Sequence, residues 1–74
     1  MSKFKVFLSV KREKEDKLVF ENDEEKFAVG FIKNVTRYLE PFEEGFHEDE
    51  DRGRYYVQDG KETTYHSRWY EIPR

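Results

Sequence analysis

The 74-residue chain has no cysteine, and it has little glycine, proline or methionine. Without thiols, neither a disulfide nor a thiolate zinc site can staple the fold. Its apolar runs fall far short of the ~20 residues that span a bilayer. The residues after Met1-Ser2-Lys3-Phe4-Lys5 hold no signal-type apolar stretch. The chain therefore reads as cytoplasmic, with no membrane contact. Its four glycines stand singly, so there is no phosphate-cradling loop. The serines are Ser2, Ser9 and Ser67, none in a nucleophile-elbow pattern. His66 and Ser67 are neighbours on a predicted strand, where successive side chains diverge. These absences remove the usual catalytic arrangements, and the chain reads as a non-enzymatic protein without a cofactor.

A metal site is excluded on similar grounds. His47-Glu48-Asp49-Glu50-Asp51 gathers hard oxygen ligands and one imidazole. A calcium loop needs Gly at its sixth position and Glu at its twelfth. Counted from Asp49, those places hold Arg54 and Gly60. Zinc would need more nitrogen or sulfur than His47 and the distant His66 supply.

What the chain does have is charge and aromatic rings. Charged residues make up 42% and hydrophobic residues only 35%, a balance that leans toward disorder. Seven Phe, five Tyr and one Trp oppose it, because each ring buries a large apolar area. The expectation is a single domain over residues 1–74, marginally stable, since a chain this short buries only roughly 60% of the surface its unfolded form exposes. Homodimer formation is one route to covering the remaining apolar surface.

The patterning gives the order β-β-α-β-β and an α+β fold, one amphipathic helix packed on a small antiparallel sheet. Residues 3–10 alternate, with Phe4, Val6, Leu8 and Val10 on one face and Phe7 on the other. Lys17 to Glu21 resumes strand character with Leu18 and Phe20 inward, giving a hairpin. Asn22-x-x-Glu25 is a capping-box pattern that opens a helix from Asp23 to Leu39. Phe27, Phe31, Val35 and Tyr38, widened by Ala28, Ile32 and Leu39, form its apolar stripe. Gly30 inside the helix costs about 1 kcal/mol relative to Ala, which a close approach to the sheet would explain. Pro41 stops the helix. After an acidic loop at 40–53, Arg54 to Gln58 is strand-like, Asp59-Gly60 signals a tight hairpin turn, and Lys61 to Ile72 returns as a strand that Pro73 ends.

Two regions carry functional information. Between Glu40 and Asp51 lie seven of the 17 acidic residues and no Lys or Arg, so the rest of the chain is net positive. Such crowding opposes folding, and a basic partner would relieve it. Regularly spaced carboxylates imitate the charge of a DNA backbone. On this reading Glu43, Glu44, Glu48, Asp49, Glu50 and Asp51 engage a basic DNA-binding protein, with Phe42 and Phe46 as apolar anchors. The alternative is direct nucleic-acid binding through the C-terminal hairpin. There Arg54, Tyr56, Arg68 and Trp69 offer phosphate contacts and stacking surfaces. Against that alternative stand the absence of an RNP-type motif and an acidic overall balance of -3.

In size and composition the whole chain, with the acidic run Glu43 to Asp51 as its local feature, resembles the small, cysteine-free, charge-rich early proteins with which lytic bacteriophages take over a host. The resemblance implies an inhibitor of host DNA-binding or transcription machinery. Its partner would be a nucleoid-associated protein of the HU type, RNA polymerase or a nuclease. No functional residue carries over from it.

Overall fold

A computed structural model describes residues 2–43 and 49–73. Its elements are β1 (Phe4–Val10), β2 (Lys17–Asn22), α1 (Glu25–Thr36), β3 (Arg52–Asp59), β4 (Glu62–His66) and the short β5 (Tyr70–Glu71). All pairings are antiparallel, in the order β2-β1-β3-β4, and β5 extends the pairing of β3 beyond β4. The fold is α+β, as the alternation and helix signals predict. The C-terminal hairpin is part of the same sheet.

The helix covers one face. Val6 and Val57 sit opposite each other on β1 and β3, and Ala28 and Ile32 lie on them; all four are essentially inaccessible. Phe31 stacks on Phe20 with centroids 4.6 Å apart and meets Tyr55 edge-on at 6.4 Å. The buried line along the helix is Ala28, Ile32 and Thr36, one residue out of phase with the expected stripe. Phe27 is 49% exposed and Tyr38 83% exposed. The physical reason is close packing. Small Ala28 lets the helix axis approach the central valines, and the larger Phe31 lies along the flank.

Several local expectations need correction. Asn22 makes no capping box; its Oδ1 accepts from the Glu24 N–H at 2.9 Å, and the helix starts at Glu25 without a side-chain cap. The helix ends at Thr36, whose hydroxyl donates to the Ile32 carbonyl, and one further turn closes from Leu39 N–H to Thr36 O. A Cβ on Gly30 would meet nothing within 4 Å, so no close approach explains that glycine. Gly53 is the glycine that crowding requires. A Cβ there would lie 2.6 Å from Ile72 and 2.9 Å from the Ser9 carbonyl.

In β2 the register slips. Val6 faces Phe20 while Phe7 faces Leu18, so Val19 is an extra residue that packs toward the core. This bulge turns Leu18 to the helix-free face, 43% exposed, instead of inward. The β3–β4 turn is built on Gly60 and Lys61, with Gly60 at φ 62, one residue later than Asp59-Gly60 suggests. The expected long return strand breaks after His66. Ser67 is buried and clamps the break: its hydroxyl donates to Arg68 O, and it accepts from Tyr55 N–H.

Candidate functional site

Among the described residues no helix lies on the sheet's second face, whose residues follow from strand alternation. Cross-strand partners share a face. A row therefore runs across all four main strands: Leu18 on β2, Phe7 on β1, Tyr56 on β3 and His66 on β4. Phe7 and Tyr56 stack with centroids 5.5 Å apart and planes 22° apart. On one side lies a polar row of Glu21, Lys5, Gln58 and the bulge-shifted Thr63, with the Thr63 hydroxyl donating to the side-chain Oε1 of Gln58 at 2.8 Å. On the other side Ser9 faces Arg54, and Arg52 lies two residues further along β3.

Trp69 completes this end. It lies in the break between β4 and β5, where its carbonyl accepts from Phe42 N–H. Freed from strand alternation, its ring sits against both β3 arginines. The Arg52 and Arg54 guanidinium carbons are 4.5 and 4.6 Å from the ring centroid. Two cations on one indole hold planar groups in place on an otherwise flat surface. The β1–β2 turn is fastened to the same face by a short hydrogen bond from the Tyr56 hydroxyl to the Asp16 carboxylate. Burial, and then that bond, push the Tyr56 phenol up to about 12. Burial alone raises Tyr55, on the covered face.

The described ends of the acidic run are arranged differently. The loop is shorter than 40–53. Pro41 bridges to Tyr70, and Arg52 and Gly53 belong to β3, whose pairing with β1 and β5 takes them out of the loop. Asp49 Oδ1 accepts from Asp51 N–H at 2.8 Å, and the Asp49 carbonyl accepts from Arg52 N–H, which closes a turn. Asp51 meets Arg12 at 2.9 Å, and the same guanidinium donates to the Ile72 and Pro73 carbonyls. Arg12 is only 17% exposed. This clasp joins the β1–β2 turn, the end of the run and the chain's last described residues. Glu43 and Glu50 are exposed, Phe42 is half-buried, and Glu44, Phe46 and Glu48 lie outside the described residues.

Of the alternative residues, Arg54, Tyr56 and Trp69 share the helix-free face, while Arg68 is an exposed residue of the break. Phe7, Arg52 and Asp16 join them. Phe7 was visible as an aromatic on the polar side of β1. Arg52 was hidden by placement in a loop. Ser67 holds backbone with its hydroxyl, and His66 Nδ1 lies 3.3 Å from the Ser67 carbonyl. Among the described residues no three His, Asp or Glu gather as a metal site, and no helix is long and apolar enough to cross a membrane. Comparison of the chain with protein-family models, curated proteins and solved structures finds no match.

Proposed function

We propose that the protein is a non-enzymatic binding module that takes single-stranded nucleic acid on its helix-free sheet face. The observation that carries this reading is the row Leu18–Phe7–Tyr56–His66 on the helix-free face, beside the Arg52–Trp69–Arg54 cluster. Aromatic faces on a sheet stack unpaired bases, and neighbouring arginines supply phosphate contacts and further stacking planes. A flat sheet face suits splayed bases better than a duplex groove. Lys5, Arg52 and Arg54 bring three positive charges to the face, against the carboxylates of Glu21 and Asp16.

The reading that places the partner on the acidic run draws less support from the geometry. Asp49 and Asp51 are engaged in a turn and in the Arg12 clasp, which gives the run a structural use for part of its charge.

Fluorescence anisotropy with labelled single-stranded DNA and RNA oligonucleotides tests the proposal. Binding should weaken with added salt. Tyr56→Leu should cost about 1–3 kcal/mol of affinity, the contribution of one stacked base. Arg54→Ala should weaken binding and flatten the salt dependence by about one phosphate contact. Oligonucleotides that fail to bind at low salt, or binding indifferent to both substitutions, would remove the sheet face as the site.

A further inference from the structure

The β1–β2 turn reaches onto the helix-free face at the middle of its aromatic row. The root of the turn is tied by backbone: Lys11 N–H donates to Arg52 O, Arg12 N–H to Glu50 O and Glu13 N–H to Val10 O. β2 takes up its pairing at Lys17, opposite Leu8. Between root and strand lies an exposed tip, Lys14, Glu15 and Asp16. The side chain that fastens this tip to the face is Asp16, whose carboxylate accepts from the Tyr56 hydroxyl 40 residues away. Root and tip are thus held by different means, backbone bonds for the one and an exposed side-chain bond for the other.

That bond places a carboxylate where the face has to accept phosphate. Tyr56 stands in the row with its ring stacked on Phe7. Arg54 precedes it by two residues on the same strand and face, about 7 Å along the strand. Beyond the burial that dominates its shift, the Tyr56 phenol is raised by Asp16 and lowered by Arg54, so both charges reach the same group. Asp16 also faces the groove that Trp69 borders. A base stacked on Tyr56 would bring its phosphate to this same ground, and two negative charges there repel. Asp16 occupies the place of a phosphate.

We propose that the tip of the β1–β2 turn is an autoinhibitory strap: Asp16 closes on Tyr56 in the free protein and swings away when a single strand takes the face. The inference rests on the nucleic-acid reading of the face and adds a gate to it. The hinges are Glu13, where the backbone ties end, and Lys17, where strand pairing begins. Opening removes one of the two carboxylates of the face and leaves Glu21. An exposed charged contact is weak, so the strap lowers affinity only severalfold and a strand can displace it.

Trypsin reads the strap without any ligand. Cutting after Lys14 in the folded chain follows the fraction of open tip, with the site assigned by mass. Tyr56→Phe keeps the ring and removes the bond; Asp16→Ala removes bond and charge. Both should speed cutting after Lys14 about threefold and leave cutting after Lys61, in the β3–β4 turn, unchanged. Anisotropy of a labelled oligothymidylate at low salt then reads the gate. Tyr56→Phe should bind about threefold tighter than the parent and Asp16→Ala about fivefold. The double variant should match Asp16→Ala, because both substitutions remove the same contact. Glu15→Gln removes a charge from the same tip without touching the bond, and should gain less than twofold. If the parent binds strands and neither Tyr56→Phe nor Asp16→Ala binds tighter than Glu15→Gln, the strap is overturned while the sheet-face reading stands. Cutting after Lys14 that neither substitution speeds overturns it as well. A strand bound by neither the parent nor the opened variants removes the sheet-face reading, and the role of the strap with it.

Discussion

The two faces of the sheet use the same strands and differ only in which side of the alternation they take. On the covered side Val6, Val57, Ala28 and Ile32 exclude water, with Phe20, Phe31 and Tyr55 around them. On the open side Phe7, Tyr56 and Trp69 touch one another or touch arginine and aspartate. One face places apolar groups against apolar groups; the other places rings beside charges that could have stayed in water. The first arrangement generates stability and the second presents a chemistry. Substitutions on the covered face should therefore move the folding free energy, and substitutions on the open face should move binding.

The sharpest break of that comparison is Ile32→Ala. It empties a wholly buried site under the helix and should cost about 2–5 kcal/mol, read as a lower urea midpoint. That is a large share of the stability of so small a domain. A loss below 1 kcal/mol would mean that the helix is not seated on the valines.

Arg12→Ala should come next, at about 2 kcal/mol, because it removes a charged bond to Asp51 and the donors to two carbonyls. It belongs to neither face, so it separates general stability from both. Oligonucleotide affinity measured well below the melting temperature should hardly change. A thermal melt indistinguishable from the parent would show that the clasp contributes nothing.

On the open face Tyr56 ties stability to pH. Its phenol is raised to about 12, above the ordinary value of 10.0. In that window the folded chain keeps a proton the unfolded chain has lost. The contribution is present below about pH 10 and is lost as pH rises through about 12. Solvent screening at this half-exposed ring keeps it smaller than the clasp. Tyr56→Phe should therefore flatten the alkaline fall in melting temperature, which melts from pH 9 to 12 would measure.

Gly30→Ala should act in the opposite direction. The space around Gly30 is open, and Ala in a helix is favoured by up to about 1 kcal/mol. A destabilised variant would mean that something crowds this position.

Much of this arrangement was legible from local pattern. Period-two alternation gave β1 and flagged Phe7 as an outward aromatic. The Asp59-Gly60 signal gave the hairpin to within one residue, and Pro41 bounded the helix region. What stayed hidden depended on contacts far apart in sequence. The bulge at Val19 exists because Phe20 packs on Phe31 while Leu18 pairs with Phe7, and no spacing within β2 announces it. The phase of the helix was set by small Ala28 fitting the central valines, against a stripe that counts large side chains. Asp51 looked like one charge among seven, yet its partner Arg12 lies 39 residues away. Trp69 reads as a stacking residue on a continuous return strand. The clamp made by Ser67 breaks the strand and releases the indole onto Arg52 and Arg54.

The smallest effect concerns the acidic run, and it bears on which region binds. Asp49 and Asp51 have structural partners, so neutralising the whole run would confound folding with recognition. Glu43→Gln with Glu50→Gln spares them, and both positions are exposed. Stability should stay within about 0.5 kcal/mol, as for surface sites generally. Removing two negative charges from a chain of net charge -3 weakens long-range repulsion of a phosphate backbone. Oligonucleotide affinity should then rise by about twofold at low salt. The gain should vanish near 0.15 M, where screening shortens to about 8 Å. Binding that is unchanged or weaker at low salt would count against the open face and return weight to the acidic run as the docking surface.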